Sequence, residues 1–168
     1  MLPKPLYDKM KAARNVGAGL TVSRQIMLGT LDMTLHDRFA PNGTETNTEV
    51  VKKLENQLMP YAYLDGTIMQ ASFGHLTGYG ASYYDYMWSK VYAEDMFSVF
   101  EENGVMDAKT GLCYHDLILA KGSTNEEINL VQSFLGREPK QEAFFNSLGL
   151  QGFGGAHGPL RPNRCPVV

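Results

Sequence analysis

No segment of this chain alternates apolar and polar residues with a period of two, so nothing in it specifies a half-buried strand. Leu20, Ile26, Met27, Leu31 and Leu35 instead repeat at helical spacing and mark one apolar face. The pattern predicts an all-α protein of five to seven helices. Its 168 residues are enough for one domain with its own core. Hydrophobic residues make up 43%, which argues against global disorder.

Breakers and caps place the helices. Tyr7 to Phe39 reads as helix, broken near Asn15-Val16-Gly17, with Pro5 suited to a helix start. Ala40 to Thr44 is a loop. Thr48 or Thr46 caps a helix that runs to Met59 and is stopped by Pro60. Tyr61 to Gly80 reads as mostly irregular. Ala81 to Asn103 is the longest well-patterned helix, closed by Gly104. Val105 to Gly111 reads as a turn and Tyr114 to Ala120 as a short helix. Ser123 or Thr124, followed by Glu126 and Glu127, resembles a capping box opening a helix to about Leu135. Gly136 to Pro139 is a turn, and Lys140 to Leu148 a last short helix. Residues 152–168 are rich in Gly, Pro and Arg and are expected to form a disordered tail.

Composition narrows function. The net charge is −3 and no dense Lys/Arg block occurs, so no nucleic-acid partner is expected. The apolar runs fall well short of the roughly 20 residues of a membrane span, so no membrane partner is expected either. Two cysteines, Cys113 and Cys165, make no disulfide framework, and a reducing compartment with Cys113 as a partly buried thiol is the simpler expectation.

Chemistry concentrates between Ser72 and Trp88, where His75, three glycines and Tyr79, Tyr83, Tyr84 and Tyr86 crowd together. On a helix over residues 81–100, Tyr79, Tyr83 and Tyr86 form one stripe, while Tyr84, Met87, Trp88 and Val91 take a second face that reads as core. A phenol donates a hydrogen bond without ionising at pH 7. Such donors, with His75, suit a peptide carbonyl or the oxyanion that develops on it. Tyrosines at this spacing are more commonly half-buried packing residues with satisfied hydroxyls, and spacing alone leaves both readings open. The remaining histidines point elsewhere. His36 ends a helix where a cation suits the C-terminus. His115 pairs with Asp116 at the surface, and His157 lies in the glycine-rich tail. No compact set of metal ligands occurs.

The run FGHLTGYGASYYDYMW resembles the stretch downstream of the zinc site in the thimet oligopeptidase family of metallopeptidases, which includes oligopeptidase A and mitochondrial intermediate peptidase. Ala12-Ala13-Arg14-Asn15 through Arg24-Gln25 and Asp32-Met33-Thr34-Leu35-His36 resembles an earlier helix of the same family. Phe134-Leu135-Gly136-Arg137-Glu138-Pro139 resembles its C-terminal end. The similarity spans residues 3 to 151. It implies that residues 1–151 are the C-terminal multi-helix portion of a larger, mostly helical peptidase catalytic domain.

That family is zinc-dependent and cuts oligopeptides in a deep channel. Its zinc is held by an HExxH helix and a glutamate on the next helix, and the HExxH glutamate activates the water. This sequence contains no HExxH, and by family order both helices precede Met1. The resemblance therefore implies no metal ligand here. It assigns substrate and transition-state hydrogen bonding to His75, Tyr83 and Tyr86, and substrate contact to Tyr79 with Gly78 and Gly80. It implies oligopeptide substrates, an N-terminal remainder of the same domain as partner, and an intracellular location, cytoplasmic or mitochondrial. Without that remainder the chain is expected to be inactive. The alternative is a non-catalytic helical module that binds peptides or a partner.

Overall fold

A computed structural model describes residues 2–150, and the expected tail at 152–168 lies outside them, as does His157. The described residues are helical and contain no strand, which makes the chain all-α. None of their helices is long and apolar enough to cross a membrane. The chain divides into two compact units, Met1–Met87 and Trp88–Val168.

The first unit opens with α1 (Lys4–Ala12), which carries proline in its first turn. The chain then turns through Gly17, whose φ of 77° no β-carbon residue adopts cheaply, into α2 (Ala18–Asp37). That is the break expected at Asn15–Gly17. Helix α3 (Asn47–Leu58) resolves the choice of cap in favour of Thr46. The Thr46 hydroxyl accepts from the Glu49 N–H at 3.2 Å, and the Glu49 carboxylate accepts from the Thr46 N–H at 2.6 Å. The Thr46 N–H holds the Glu49 carboxyl below its ordinary pKa. Met27, Leu28 and Leu31 of α2 meet Val50, Val51 and Leu54 of α3, and this buried seam is the core of the unit.

Residues 61–80 are mostly irregular, as expected, but they are firmly tied. Asn56 Oδ1 accepts from the Tyr63 N–H at 2.8 Å, and the Tyr63 hydroxyl donates to the Thr67 carbonyl. Gln70 Nε2 donates to Thr48 Oγ1 at 2.7 Å. Met59, Tyr63 and Tyr83 complete the α2–α3 core. Two short helices interrupt the segment, a 3₁₀ turn at Met69–Ser72 and α4 (His75–Gly78).

Helix α5 (Asp85–Asn103) starts four residues later than the sequence pattern suggests. Ala81 sits at φ 58°, in the left-handed region, so residues 81–84 form a turn and not the first turn of a helix. The expected faces change with it. Tyr83 is buried at 8% exposure, whereas Tyr84 and Trp88, read as core, are 52% and 57% exposed.

In the second unit α5 continues, followed by α6 (Ala108–Tyr114), α7 (Glu127–Leu135) and α8 (Glu142–Ser147). The expected turn over 105–111 is partly helix, because Asp107 caps α6 by accepting from the Thr110 N–H at 2.7 Å. Residues 115–119 then widen into a π-helical turn. The expected capping box at Ser123 or Thr124 does not form; α7 begins at Glu127 and ends on Gly136 at φ 67°. Val99, Cys113, Val131, Phe134 and Leu135 form the core, with Phe100 stacked on Phe134 and Tyr114 edge-on to it. Cys113 is disulfide-bonded, which corrects the expectation of a thiol.

Candidate functional site

The tyrosine stripe is real, but a turn builds it, not a helix. His75 opens α4, Tyr79 closes it, Tyr83 sits in the turn after Ala81, and Tyr86 lies in the first turn of α5. The His75 ring meets the three tyrosines edge to face, and the tyrosine rings are tilted against one another. The His75 ring centroid is 5.1 Å from that of Tyr83, 5.8 Å from Tyr86 and 6.4 Å from Tyr79. Tyr83 and Tyr86 lie 5.1 Å apart, and Tyr79 and Tyr86 5.6 Å. Phe73 backs the cluster, 5.3 Å from His75 and 5.1 Å from Tyr83. The Tyr86 hydroxyl stands 3.3 Å from His75 Nε2, close enough for a hydrogen bond. Tyr79 donates weakly to Asp85 at 3.4 Å. Partial burial, with the Asp85 charge behind it, pushes the Tyr79 phenol above its usual pKa and keeps it a donor.

Two residues to which the spacing argument gave no such role hold this cluster in place. Asp32, fully buried on α2, accepts from the Ala81 N–H at 3.1 Å and the Tyr83 N–H at 2.9 Å. A left-handed alanine costs about 1–2 kcal/mol, and these two bonds fix it. His36, one turn along α2, places Nδ1 2.8 Å from the Asp32 carbonyl and 2.9 Å from its carboxylate. Its Nε2 faces the Leu76 carbonyl at 3.2 Å. His36 thus ties α4 to α2, beyond the helix-end role expected for it. Gly80 lies flat against it, and a β-carbon there would collide with His36 Nε2. Gly78 has open space around its α-carbon. His115 pairs with Asp116 at 2.7 Å on the surface, as read from the sequence.

The Asp32 carbonyl, and after it the Asp32 charge and the Leu76 carbonyl, raise the His36 pKa above 6.5. Both ring nitrogens face oxygen acceptors, so the doubly protonated ring fits best. The folded pKa exceeds the unfolded one. The stabilisation is therefore complete below pH 6.5 and fades as pH rises through the raised value. A proton NMR titration is expected to place the His36 midpoint above 6.5; a midpoint at or below it would contradict this geometry.

A cavity of about 680 Å³ opens beside the cluster, lined by His75, Gly78, Tyr79 and Tyr83 with Arg24, Gln25 and Leu28 of α2. Among the described residues no group of three or more His, Cys, Asp or Glu side chains is placed to hold a metal ion, so these residues do not fit the zinc that the resemblance implies. The arrangement offers neutral hydrogen-bond donors along one side of a cleft. It contains no nucleophile paired with a base.

The model of peptidase family M3 matches residues 1–150. Oligopeptidase A of Escherichia coli is 36% identical over 153 residues, covering 90% of this chain and 22% of that protein. Saccharolysin of Saccharomyces cerevisiae is 32% identical over 157 residues, 89% of this chain and 21% of that protein. Mitochondrial intermediate peptidase of Arabidopsis thaliana is 25% identical over 137 residues, 82% and 19% respectively. The chain spans about a fifth of the length of the relatives it matches.

Proposed function

The chain belongs to peptidase family M3, and on that basis we propose that it supplies the substrate- and oxyanion-binding wall of a zinc metalloendopeptidase that hydrolyses oligopeptides. One observation carries the reading: His75, Tyr79, Tyr83 and Tyr86 meet in a single cluster at the edge of a cleft. The Tyr86 hydroxyl and His75 Nε2, 3.3 Å apart, are near enough for both to donate to one developing oxyanion. Tyr83, buried and anchored through its N–H to Asp32, positions the substrate beside them. Tyr79, between Gly78 and Gly80, contacts the peptide from the α4 side, and its raised pKa keeps it protonated at the donor oxygen. The zinc site belongs to the part of the peptidase outside this chain. The partners are oligopeptides and that remainder of the catalytic domain, in the cytoplasm or the mitochondrion.

The experiment compares the 168-residue chain alone with the same chain joined to its upstream coding region. Alone, it is expected to retain no stoichiometric zinc and to cut no peptide. Joined to an upstream HExxH segment, it is expected to hydrolyse oligopeptides. One-to-one zinc retention by the chain alone would overturn the reading. A stop codon immediately upstream, with no HExxH, would leave a peptide- or partner-binding module instead.

A further inference from the structure

We propose that Arg24 anchors a carboxylate of the bound peptide, which makes the preferred substrate an oligopeptide bearing a negative charge a few residues from the bond held by the tyrosines. This rests on the reading of the cleft as a peptide site. Arg24, Leu28 and Asp32 are spaced by four and lie along one face of α2. Leu28 is buried at the cavity wall, and Asp32 holds Tyr83. Arg24 therefore lines the same cavity as His75, Tyr79 and Tyr83, two helical turns from the Tyr83 anchor. Among the described residues it is the only cation of fixed charge lining that cavity, and no acidic side chain among them lines it. Among the described residues Arg24 forms no ion pair and no side-chain hydrogen bond.

A guanidinium presents a planar fork of donors that matches a carboxylate with two parallel bonds. Its fork here is unspent, and the residue lines a cleft whose other described lining residues carry no fixed charge. Eight residues of helix span about 12 Å. An extended peptide advances about 3.3 Å per residue. With the reach of the arginine side chain, the anchored carboxylate falls about two to four residues from the tyrosine cluster. It is either the peptide's C-terminal carboxylate or an acidic side chain at that distance.

The test uses the complete peptidase that contains this chain and one quenched fluorescent peptide in three forms. These are the C-terminal acid, the C-terminal amide, and the amide with one glutamate in place of glutamine. The wild type is expected to favour one carboxylate form over the plain amide by about 10- to 100-fold in kcat/KM, mostly through KM. A preference for the acid identifies the C-terminus, and a preference for the glutamate form identifies the side chain. Arg24→Gln is expected to collapse the preference towards unity, and Arg24→Lys to keep part of it, since charge survives but the fork does not. Equal use of all three peptides by the wild type, or a preference that Arg24→Gln leaves intact, would overturn the proposal while the peptidase reading stands. Failure to cut any peptide would instead sink the peptidase reading. Equilibrium binding of the same three peptides to the protein would then decide Arg24, with equal affinities counting against it.

Discussion

Replacing Tyr86 by phenylalanine is expected to lower kcat of the complete peptidase about 100- to 1000-fold, with little change in KM. The change removes the hydroxyl together with its hydrogen bond to His75. Tyr86 is 51% exposed, and its ring keeps its contacts with His75, Tyr79 and Tyr83 when the oxygen goes. Folding is therefore little affected, and the effect reports on chemistry. The lost group stands 3.3 Å from His75 Nε2, the other proposed donor. Removing one of two oxyanion donors costs about 2.7–4 kcal/mol of barrier in other enzymes, because the charge exists only in the transition state. Substrate binding does not sense that charge, which is why KM stays. A rise in KM at unchanged kcat would make Tyr86 a ground-state contact and remove it from the oxyanion. Unchanged kinetics would remove it from the site.

What the sequence made legible were features encoded over a few residues. Helical spacing and the absence of alternation decided the all-α class, and Gly17 and Gly136 punctuated helices where left-handed backbone is needed. Pro60 and the Thr46–Glu49 pair bounded α3 from local chemistry alone. The errors lie where a distant residue overrides local propensity. Alanine favours helix, so nothing local at Ala81 signals a left-handed turn. Asp32, 49 positions earlier, enforces it, delays α5 and exchanges the faces of Tyr83 and Tyr84. The gathering of His75, Tyr79, Tyr83 and Tyr86 was anticipated, but for a reason that does not hold, since only Tyr86 lies on α5. Arg24, Asp32 and His36 stood within the runs that carry the family resemblance. Spacing gave the first two no role and His36 only a helix-end role, because their partners are tertiary. Asp107 had a readable signal, an acidic residue three before Thr110, in a stretch dismissed as a turn.

The largest loss of stability is expected from Asp95→Ala, about 3–5 kcal/mol in the second unit. Asp95 lies on α5 and is 2% exposed. Its carboxylate accepts from Arg137 Nη1 and Nη2 at 2.7 Å each and from the Lys140 N–H at 2.7 Å. The pair is bidentate and largely out of water, with the Arg137 side chain 18% exposed. Its benefit relative to an apolar pair is small, but breaking it is costly. Arg137 Nε is already buried without a hydrogen-bond partner among the described residues, so the guanidinium keeps the Glu138 carbonyl, at 2.9 Å, and the more distant charges of Glu142 and Glu102. The Lys140 N–H would lose its acceptor outright. Asp95→Ala with Arg137→Ala is expected to cost less than the sum of the two single changes, because the stranded cation is gone, while the Lys140 N–H still lacks an acceptor. Urea unfolding followed through Trp88, the single tryptophan, measures all three variants. A single-mutant loss below about 1 kcal/mol would show that water or rearranged backbone replaces the carboxylate, as it does at exposed ion pairs.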